Sequence, residues 1–326
     1  MKVAQIGCGN IGRHRAEAVA AVSGLELALC VDTIVEAAQA LAERWNCEPG
    51  TEWQEAVARP DIEVVIVSTP NVFHTPISIA ALEAGKHVLC EKPLARNPQE
   101  ARRMVEAAEA CGRELRTGFN HRFHAQVVQA KALFDAGAIG EPLFLRGHTG
   151  HGGGEAFAWS WFCDEEIAGG GTFLDNGVHA LDLARYFLGE FVEATGFRTT
   201  SLWDIAPLED NGFGLFRTAD GWVASLHSSW TQWKGYLYLE LFGAEGFLTI
   251  NYDPVETTLV RRGMPHHIER YEFPVQPNTW VRELEELVKA MEGKPALSAT
   301  GTDGLRAVEM AYAVYESSRE GRTIKL

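Results

Sequence analysis

The sequence predicts an α/β protein with an N-terminal, doubly wound parallel sheet and a C-terminal α+β domain built on an open, mostly antiparallel sheet. Between residues 3 and 120, short apolar runs alternate with segments of helical periodicity, which is typical of parallel strand–helix–strand units. After residue 213 the apolar runs are separated only by tight turns, which favours antiparallel strands. The length of 326 residues exceeds what one core usually holds. We therefore expect two domains, 1–122 and 123–326.

The first apolar strand, Val3–Ile6, leads directly into a glycine motif, Gly7-Cys8-Gly9-Asn10-Ile11-Gly12, which a helical segment follows. Gly7 permits a tight turn, Gly9 lets the backbone approach a pyrophosphate, and Gly12 lets helix and strand pack closely. The free amides at the start of the helix favour phosphate groups. A bare structural turn is the alternative, but the order of strand, loop and helix favours a Rossmann dinucleotide site. Its predicted contacts are Gly7, Gly9, Asn10, Ile11 and Gly12.

The second strand, Leu25–Val31, ends at Asp32, about 20 residues after the glycine motif. A carboxylate at this position accepts hydrogen bonds from the adenosine ribose hydroxyls and repels a 2′-phosphate. The next two residues, Thr33 and Ile34, carry no positive charge. The sequence therefore predicts NAD as the cofactor, in preference to NADP.

Two further strand ends carry polar side chains. Ile62–Ser68 is a nearly continuous β-branched strand that leads into Ser68-Thr69-Pro70-Asn71, with His74 about one helical turn later. A helix over 77–84 precedes the short strand Val88–Cys90, which ends at Glu91-Lys92-Pro93. Ligands collect at the carboxyl ends of parallel strands, and the proline restricts Lys92 to an extended backbone. A solvated charge pair at a strand end is the alternative interpretation.

Later elements are predicted from the same patterns. The sequence predicts helices over 35–45, 101–110 (capped by Asn97), 127–134, 278–291 and 304–319, a single helix Thr172–Leu188, and strands over 115–120, 143–148, 213–217, 222–230, 236–242 and 247–251.

On the single helix, Asp175 and His179 are four residues apart and share a face, and Asp182 follows on the same side. Gly177 between them allows a close approach. A carboxylate beside an imidazole orients the ring and raises its basicity, as proton transfer requires. The alternative is a capping aspartate and an ordinary partly buried histidine. No third metal ligand at suitable spacing is evident, with His148 and His151 the nearby candidates, so no metal is predicted.

Composition excludes several classes of function. The formal net charge of −15 argues against nucleic acid and anionic membranes, although backbone amides can still bind an anionic cofactor. Six scattered cysteines without a C-x-x-C pair indicate reduced thiols. The N-terminus lacks the apolar core of a signal peptide, and no apolar run approaches the ~20 residues that cross a bilayer. We therefore expect a cytoplasmic protein.

Together these motifs resemble the glucose–fructose oxidoreductase / inositol 2-dehydrogenase / MocA (Gfo/Idh/MocA) family. The resemblance covers nearly the whole chain, from the glycine motif through the 68–71 turn to Ala84-Gly-Lys-His-Val-Leu-Cys-Glu-Lys-Pro93. It continues in Gly118-Phe-Asn-His-Arg-Phe123 and in Gly169-Gly-Gly-x-x-x-Asp175-x-Gly-x-His179-x-x-Asp182. Many relatives have Trp-Arg where this chain has Trp161-Phe162, so no arginine contact is expected there.

The resemblance implies roles for particular residues. It implies catalytic roles for Lys92, Asp175 and His179. It implies cofactor contacts by the glycine motif, Asp32, Ser68, Thr69, Pro70, Asn71, His74, Glu91, Lys92 and Asn120. It implies substrate contacts by Lys92, Arg122, His148, Trp161, Asn176 and His179. It also implies a homodimer or homotetramer formed through the C-terminal sheet.

The leading hypothesis is an NAD-dependent dehydrogenase that acts on a secondary hydroxyl of a sugar, sugar derivative or cyclitol. His179 takes the hydroxyl proton, Lys92 hydrogen-bonds to the reacting oxygen, and Asp175 orients the site. Two alternatives share the fold: a glycosidase that retains NAD, and a regulator that only senses dinucleotide or sugar. The full set of Lys92, Asp175 and His179 disfavours the regulator. The segments 148–162 and 230–236 are expected to line the substrate pocket, without revealing which polyol is oxidised.

Overall fold

The computed structural model describes all 326 residues and divides the chain into two compact units. The first comprises Met1–Asn120 and Asn278–Arg306, and the second comprises His121–Pro277 and Ala307–Leu326. The sequence predicts a contiguous second domain, 123–326, whereas the structure returns 278–306 to the first unit. The reason is packing, because Leu284 and Leu287 are fully buried in the same core as the first helix.

The first unit contains a six-stranded, all-parallel sheet with strand order β3-β2-β1-β4-β5-β6. The strands are β1 (Lys2–Ile6), β2 (Glu26–Val31), β3 (Glu48–Gly50), β4 (Ile62–Val67), β5 (His87–Cys90) and β6 (Leu115–Thr117). The helices are α1 (Asn10–Ala21), α2 (Val35–Trp45), α3 (Trp53–Ala58), α4 (His74–Glu83), α5 (Pro98–Cys111) and, from the C-terminal segment, α11 (Thr279–Met291). This strand order is that of the Rossmann fold, so the predicted fold class is confirmed.

Sequence patterns identify most of these elements closely. The predicted helix over 35–45 matches α2, and the predicted cap is present, because the Asn97 side chain accepts a hydrogen bond from the Glu100 N–H at 2.9 Å. The sequence does not predict β3 or α3. Strand β3 is only three residues long and contains a proline, so it lacks the apolar alternation of a strand.

The second unit contains a nine-stranded sheet with strand order β14-β13-β12-β11-β7-β10-β9-β8-β15. The strands are β7 (Pro142–Gly150), β8 (Phe191–Thr199), β9 (Asn211–Thr218), β10 (Val223–Ser229), β11 (Tyr236–Gly243), β12 (Gly246–Tyr252), β13 (Val255–Arg261), β14 (His267–Glu272) and β15 (Ile324–Lys325). The helices are α6 (Ala125–Asp135), α7 (Glu155–Ala158), α8 (Glu165–Ala168), α9 (Thr172–Asp175) and α10 (Gly177–Leu188); α12 (Gly301–Glu320) spans the division between units. All pairs are antiparallel except β7 with β10, so the mostly antiparallel sheet is confirmed.

The predicted single helix Thr172–Leu188 is two helices, α9 and α10, separated at Asn176. The His179 N–H donates to the Asn176 carbonyl oxygen at 3.2 Å, which is the tighter i→i−3 bond of a helix start. A new helix start therefore lies between Asp175 and His179.

Alternation along the strands gives the second sheet two different faces. On β7, Leu145 and Thr149 are buried on the face that packs against helix α10. On the other face large apolar side chains are exposed, among them Phe197 at 70%, Phe213 at 42% and Leu215 at 48%. None of the helices is both long and apolar enough to cross a lipid bilayer.

Candidate active site

The glycine loop between β1 and α1 has the geometry that a dinucleotide loop requires. Gly7 has a φ of +91°, and a Cβ there would lie 2.4 Å from the Ser68 carbonyl oxygen. A Cβ on Gly12 would lie 1.9 Å from the Gly7 carbonyl oxygen, so neither position can carry a side chain. At Gly9 a Cβ would meet nothing within 4 Å. Open space at Gly9 is what a pyrophosphate approaching the backbone needs. Asn10 and Ile11 lie exposed at the start of α1.

Asp32 lies at the end of β2, beside the glycine loop. Its carboxylate accepts the Cys8 N–H at 2.7 Å and the Ile34 N–H at 2.9 Å. Both oxygens are therefore held in one orientation, and each keeps acceptor capacity for a ribose hydroxyl.

The turn after β4 contains two hydroxyl groups that form no hydrogen bond within the protein. The Ser68 and Thr69 hydroxyls are buried without a hydrogen-bond partner in the protein, and Asn71 is 5% exposed. Buried polar groups are normally hydrogen-bonded, so such hydroxyls indicate a missing polar ligand. Together with the open space at Gly9, they fit a dinucleotide.

His74 follows that turn and is 1% exposed. One ring nitrogen lies 2.9 Å from the Pro93 carbonyl oxygen, and the other lies 2.9 Å from the Thr69 carbonyl oxygen. Burial lowers the pKa of this histidine. The sequence predicts a cofactor contact here, but both ring nitrogens contact the protein's own backbone. His74 thereby links the 68–71 turn to the turn that carries Lys92.

Glu91 and Lys92 directly follow β5, as predicted, and an ion triad holds the glutamate. Arg15 of α1 is fully buried, with its Nε 2.6 Å from Glu91 Oε1 and its Nη1 2.5 Å from Oε2 of the fully buried Glu283. Burial acts to lower the pKa of Arg15, but the two carboxylates outweigh it and the pKa is raised. The other Glu91 oxygen accepts the Lys92 backbone N–H at 3.3 Å. Glu91, predicted as a cofactor contact, is thus engaged within the protein.

Sequence reasoning did not identify Arg15 or Glu283. Arg15 lies 76 residues from its partner Glu91, and Glu283 lies 268 residues from its partner Arg15. No local sequence pattern indicates pairing over such separations. A buried arginine requires a carboxylate partner. Arg15, on the helix that follows the glycine loop, was therefore the one residue whose type could have indicated such a pairing. Asn120, another predicted cofactor contact, donates from its side-chain amide to the Thr279 hydroxyl at 3.0 Å.

In the second unit, Asp175 ends α9 and Asn176 follows it. The Asn176 side-chain amide donates to Asp175 Oδ2 at 2.8 Å, so these two predicted site residues are directly bonded. The start of α9 is anchored by the fully buried Glu209, which accepts the Gly171 N–H at 3.1 Å and the Phe173 N–H at 2.9 Å. Burial raises the pKa of Glu209. The sequence did not predict this anchor.

Arg122 and Asp182 form a buried, bidentate ion pair in the second unit. Arg122 Nε lies 2.8 Å from Asp182 Oδ2, and Nη2 lies 2.5 Å from Oδ1. Asp182 is 1% exposed, and the guanidinium lies 4.9 Å from the Tyr186 ring centroid. Arg122, predicted as a substrate contact, is therefore engaged with Asp182.

His179 lies in the first turn of α10 and is 7% exposed. The ring of His121 stacks on it, with centroids 3.8 Å apart and planes 9° apart. Gly177, expected to leave room for a ligand, instead packs against protein, since a Cβ there would lie 3.3 Å from Phe173 and from Ser228.

The predicted substrate contact His148 is not directed toward His179. His148 lies on the open face of the second sheet, with its ring 4.8 Å from that of Tyr236, whereas α10 packs on the opposite face. Successive strand residues point to opposite faces, so the burial of Thr149 under the helices directs His148 away. Trp161 stacks on Phe162 with ring centroids 3.9 Å apart.

A glycine loop between a strand and a helix, with a carboxylate at the end of the second parallel strand, defines the class of dinucleotide-binding Rossmann proteins. Residues 1–119 match the family model described as "Oxidoreductase family, NAD-binding Rossmann fold", and residues 127–249 match the "GFO/IDH/MocA C-terminal domain". The chain belongs to the Gfo/Idh/MocA family. It is an NAD-linked oxidoreductase, as the sequence predicts.

Named relatives match along the whole chain. D-glucoside 3-dehydrogenase of Escherichia coli (strain K12) is 29% identical, covering 100% of this chain and 97% of its own length. Inositol 2-dehydrogenase 4 of Saccharopolyspora erythraea is 33% identical, with coverages of 98% and 94%. Among solved structures, levoglucosan dehydrogenase in complex with NADH and levoglucosan has a TM-score of 0.92 at 27% identity, covering 100% of this chain and 99% of that one.

Proposed function

We propose that this protein is an NAD-dependent dehydrogenase that oxidises a secondary hydroxyl of a sugar, sugar derivative or cyclitol. The observation that carries the proposal is a buried imidazole, His179, in the helix that follows Asp175, in a chain that also has a complete dinucleotide loop. The named relatives support the substrate class, because their names describe dehydrogenases of a glucoside, levoglucosan and inositol.

In this proposal, each reactive side chain has a separate task. Bound NAD supplies a nicotinamide ring that accepts a hydride from the carbinol carbon. His179 accepts the proton of the reacting hydroxyl, which requires the neutral imidazole. Lys92 donates a hydrogen bond to the same oxygen and stabilises its developing negative charge. Asp175 orients the site, and its bond to the Asn176 amide fixes its own direction.

The test is a panel of sugars, glycosides and cyclitols incubated with the protein and NAD, with absorbance of NADH as the measurement. We expect net NADH with at least one polyol. Glycoside cleavage without net NADH would favour the NAD-retaining glycosidase. Binding of dinucleotide or sugar without turnover would favour the regulator.

The residue test is His179→Ala. Positioned acid–base catalysis typically contributes 10²–10⁴ in rate, so we expect kcat/KM to fall by about that factor while NAD affinity and Tm change little. The control is His266→Ala, which removes an exposed histidine of the same unit and should leave kcat/KM unchanged. Near-normal kcat in folded His179→Ala protein would remove His179 from the mechanism.

We also propose that the protein forms a homodimer or homotetramer through the second sheet. The open face of that sheet exposes Phe197, Phe213 and Leu215 side by side, since Phe197 pairs with Phe213 across β8 and β9. Contiguous apolar patches of this kind usually mark an interface. Light scattering at micromolar concentration should give at least twice the chain mass of 35.9 kDa. Phe213→Asp should lower that mass, and the exposed control Met264→Asp should not; a wild-type monomer would contradict the proposal.

A further inference from the structure

The two rings His121 and His179 form a stacked pair within the second unit. Their centroids are 3.8 Å apart and their planes differ by 9°, so the rings lie face to face. His179 comes from the first turn of α10, and His121 comes from the 3₁₀ turn Asn120–Phe123. His179 is 7% exposed and His121 is half-buried, so little water screens one ring from the other.

Two more aromatic rings, those of His124 and Tyr252, lie against His121. His124 meets His121 edge-on at 5.1 Å and 89°, and Tyr252 lies 5.3 Å from His121 and 4.8 Å from His124. Burial lowers the pKa of His124 and raises that of Tyr252, so both side chains are neutral near pH 7. Neither therefore adds a formal charge to the stacked pair.

Two aspartates, Asp175 and Asp182, are the acidic side chains on the helices around the pair. Asp182, on α10 itself, is neutralised by Arg122, and Asp175 at the end of α9 is bonded to the Asn176 amide. Burial, with a smaller contribution from the charge of Asp175, raises the pKa of Cys163 to about 11. Cys163 therefore remains a neutral thiol. The strands packed against α10 turn uncharged side chains toward the helices: Leu145 and Thr149 from β7, and Leu226 and Ser228 from β10.

Two imidazolium ions at this separation repel each other strongly. Unit charges about 4 Å apart at an effective dielectric constant of ~20 disfavour double protonation by a factor of at least tenfold. Such a pair binds protons as one coupled system, so a single proton on either ring disfavours a second proton on the other. Whenever that proton is on His121, His179 is neutral and able to act as a base.

We propose that His121 is a positioning residue for His179: it fixes the plane of that ring by stacking and, when it carries a proton, its charge disfavours protonation of His179 and keeps that ring available as a base. This inference rests on the proposed function, in which His179 accepts the substrate proton. It predicts that the enzyme retains activity on the acidic side of neutrality better than a lone histidine would allow.

The two parts of this role are separated by two substitutions. His121→Phe keeps an aromatic face on His179 but removes the second proton-binding site. His121→Ala removes both the stacking and the proton-binding site. The matched control is His124→Phe, which changes a neighbouring histidine that does not stack on His179.

The main measurement is kcat/KM for polyol oxidation between pH 5 and pH 8. We expect His121→Phe to be within about threefold of wild type at pH 8. At pH 5 its activity should fall about tenfold further below wild type than at pH 8, because a lone His179 loses activity by a full decade per pH unit. His124→Phe should follow the wild-type profile. Parallel profiles for wild type and His121→Phe would overturn any contribution of proton sharing to activity.

His121→Ala tests the stacking part alone at pH 8. There we expect a further loss of about tenfold relative to His121→Phe, in kcat rather than in KM. Equal kcat values for the two variants would overturn the positioning role, provided that both have wild-type NAD affinity.

A second readout does not depend on activity. NMR titration of ¹⁵N-labelled histidine rings, with His179 assigned by its loss in His179→Ala, reports the protonated fraction of His179 directly. We expect that fraction to be incomplete at pH 5 in wild type and nearly complete in His121→Phe. Coincident titration curves would overturn the inference. If the curves differ as expected but kcat/KM does not follow them, the inferred proton sharing stands and the proposed function of His179 fails.

Discussion

The two units hold their reactive side chains by different kinds of contact. In the first unit, the turn that carries Lys92 is held by full charges, since Glu91 contacts Arg15 and Arg15 contacts Glu283. In the second unit, the imidazole ring of His121 stacks on His179, and the buried ions Arg122 and Asp182 neutralise each other.

This difference determines where the protein is sensitive to pH. An arginine between two carboxylates keeps its charge throughout the physiological range, so the triad does not respond to pH near 7. Stacked imidazoles change their charge in that range. We therefore expect the pH dependence of activity to originate in the second unit, while the charges of the triad in the first unit stay constant.

The largest expected effect comes from breaking the triad. Arg15→Met leaves two buried carboxylates facing each other, and removing one partner of a buried ion pair costs about 3–5 kcal/mol. We expect the free energy of unfolding, measured by urea denaturation at pH 7, to fall by that amount. Arg15→Lys should lose less, because one ammonium retains part of the charge but cannot contact both carboxylates in the fork geometry of a guanidinium.

The control for this prediction is Arg322→Met, which removes an exposed arginine paired with Glu316 and Glu320. Exposed pairs contribute little, so its stability should change by less than about 1 kcal/mol. Equal losses of unfolding free energy in Arg15→Met and Arg322→Met would show that the buried ion triad does not stabilise the first unit. The two units would then not differ in the kind of contact that stabilises them.

A smaller effect concerns Asp32, whose two backbone donors orient it without neutralising its charge. The 2′-phosphate of NADP meets this carboxylate, so we expect kcat/KM with NAD to exceed that with NADP at least tenfold, or about 1.4 kcal/mol. Asp32→Ser combined with Thr33→Arg should move the ratio toward NADP. Equal kcat/KM for the two cofactors in wild type would refute the role of this charge.

The smallest effect is a pH-dependent contribution expected from the first unit, where His74 is a buried imidazole. Its pKa is lowered by burial, so below pH 6.5 the unfolded chain binds more protons than the folded chain. Its contribution to stability is therefore complete above pH 6.5 and is lost as the pH falls from there toward the folded-state pKa. Between pH 6.5 and pH 5.5 we expect a loss of at most about 1 kcal/mol.

His74→Gln should remove that loss, as measured by urea denaturation at pH 5.5 and pH 7.5. His266→Gln, which changes an exposed histidine, should keep the wild-type dependence. The same acid-induced loss in His74→Gln as in wild type would assign it to another group. Activity measured above pH 6.5 should show no contribution from His74.

The sequence alone determined the features that depend on neighbouring residues. Gly12 is required because a side chain there would collide with the nearby backbone of Gly7, and Asp32 follows from the length of one strand–helix–strand unit. The helix over 35–45 and the Asn97 cap follow from local periodicity and local hydrogen bonding. These effects act over a few residues, so the order of residues contains them.

Only the tertiary structure decided which distant residues meet. The pairing of Arg15 with Glu283 requires α11 to return to the first unit, and the stacking of His121 on His179 requires a turn and a helix to pack together. His148 is the reverse case, because the burial of one strand face directs it away from α10. Such contacts depend on packing and strand register, which the whole core sets at once, and neighbouring residues therefore carry no signal of them.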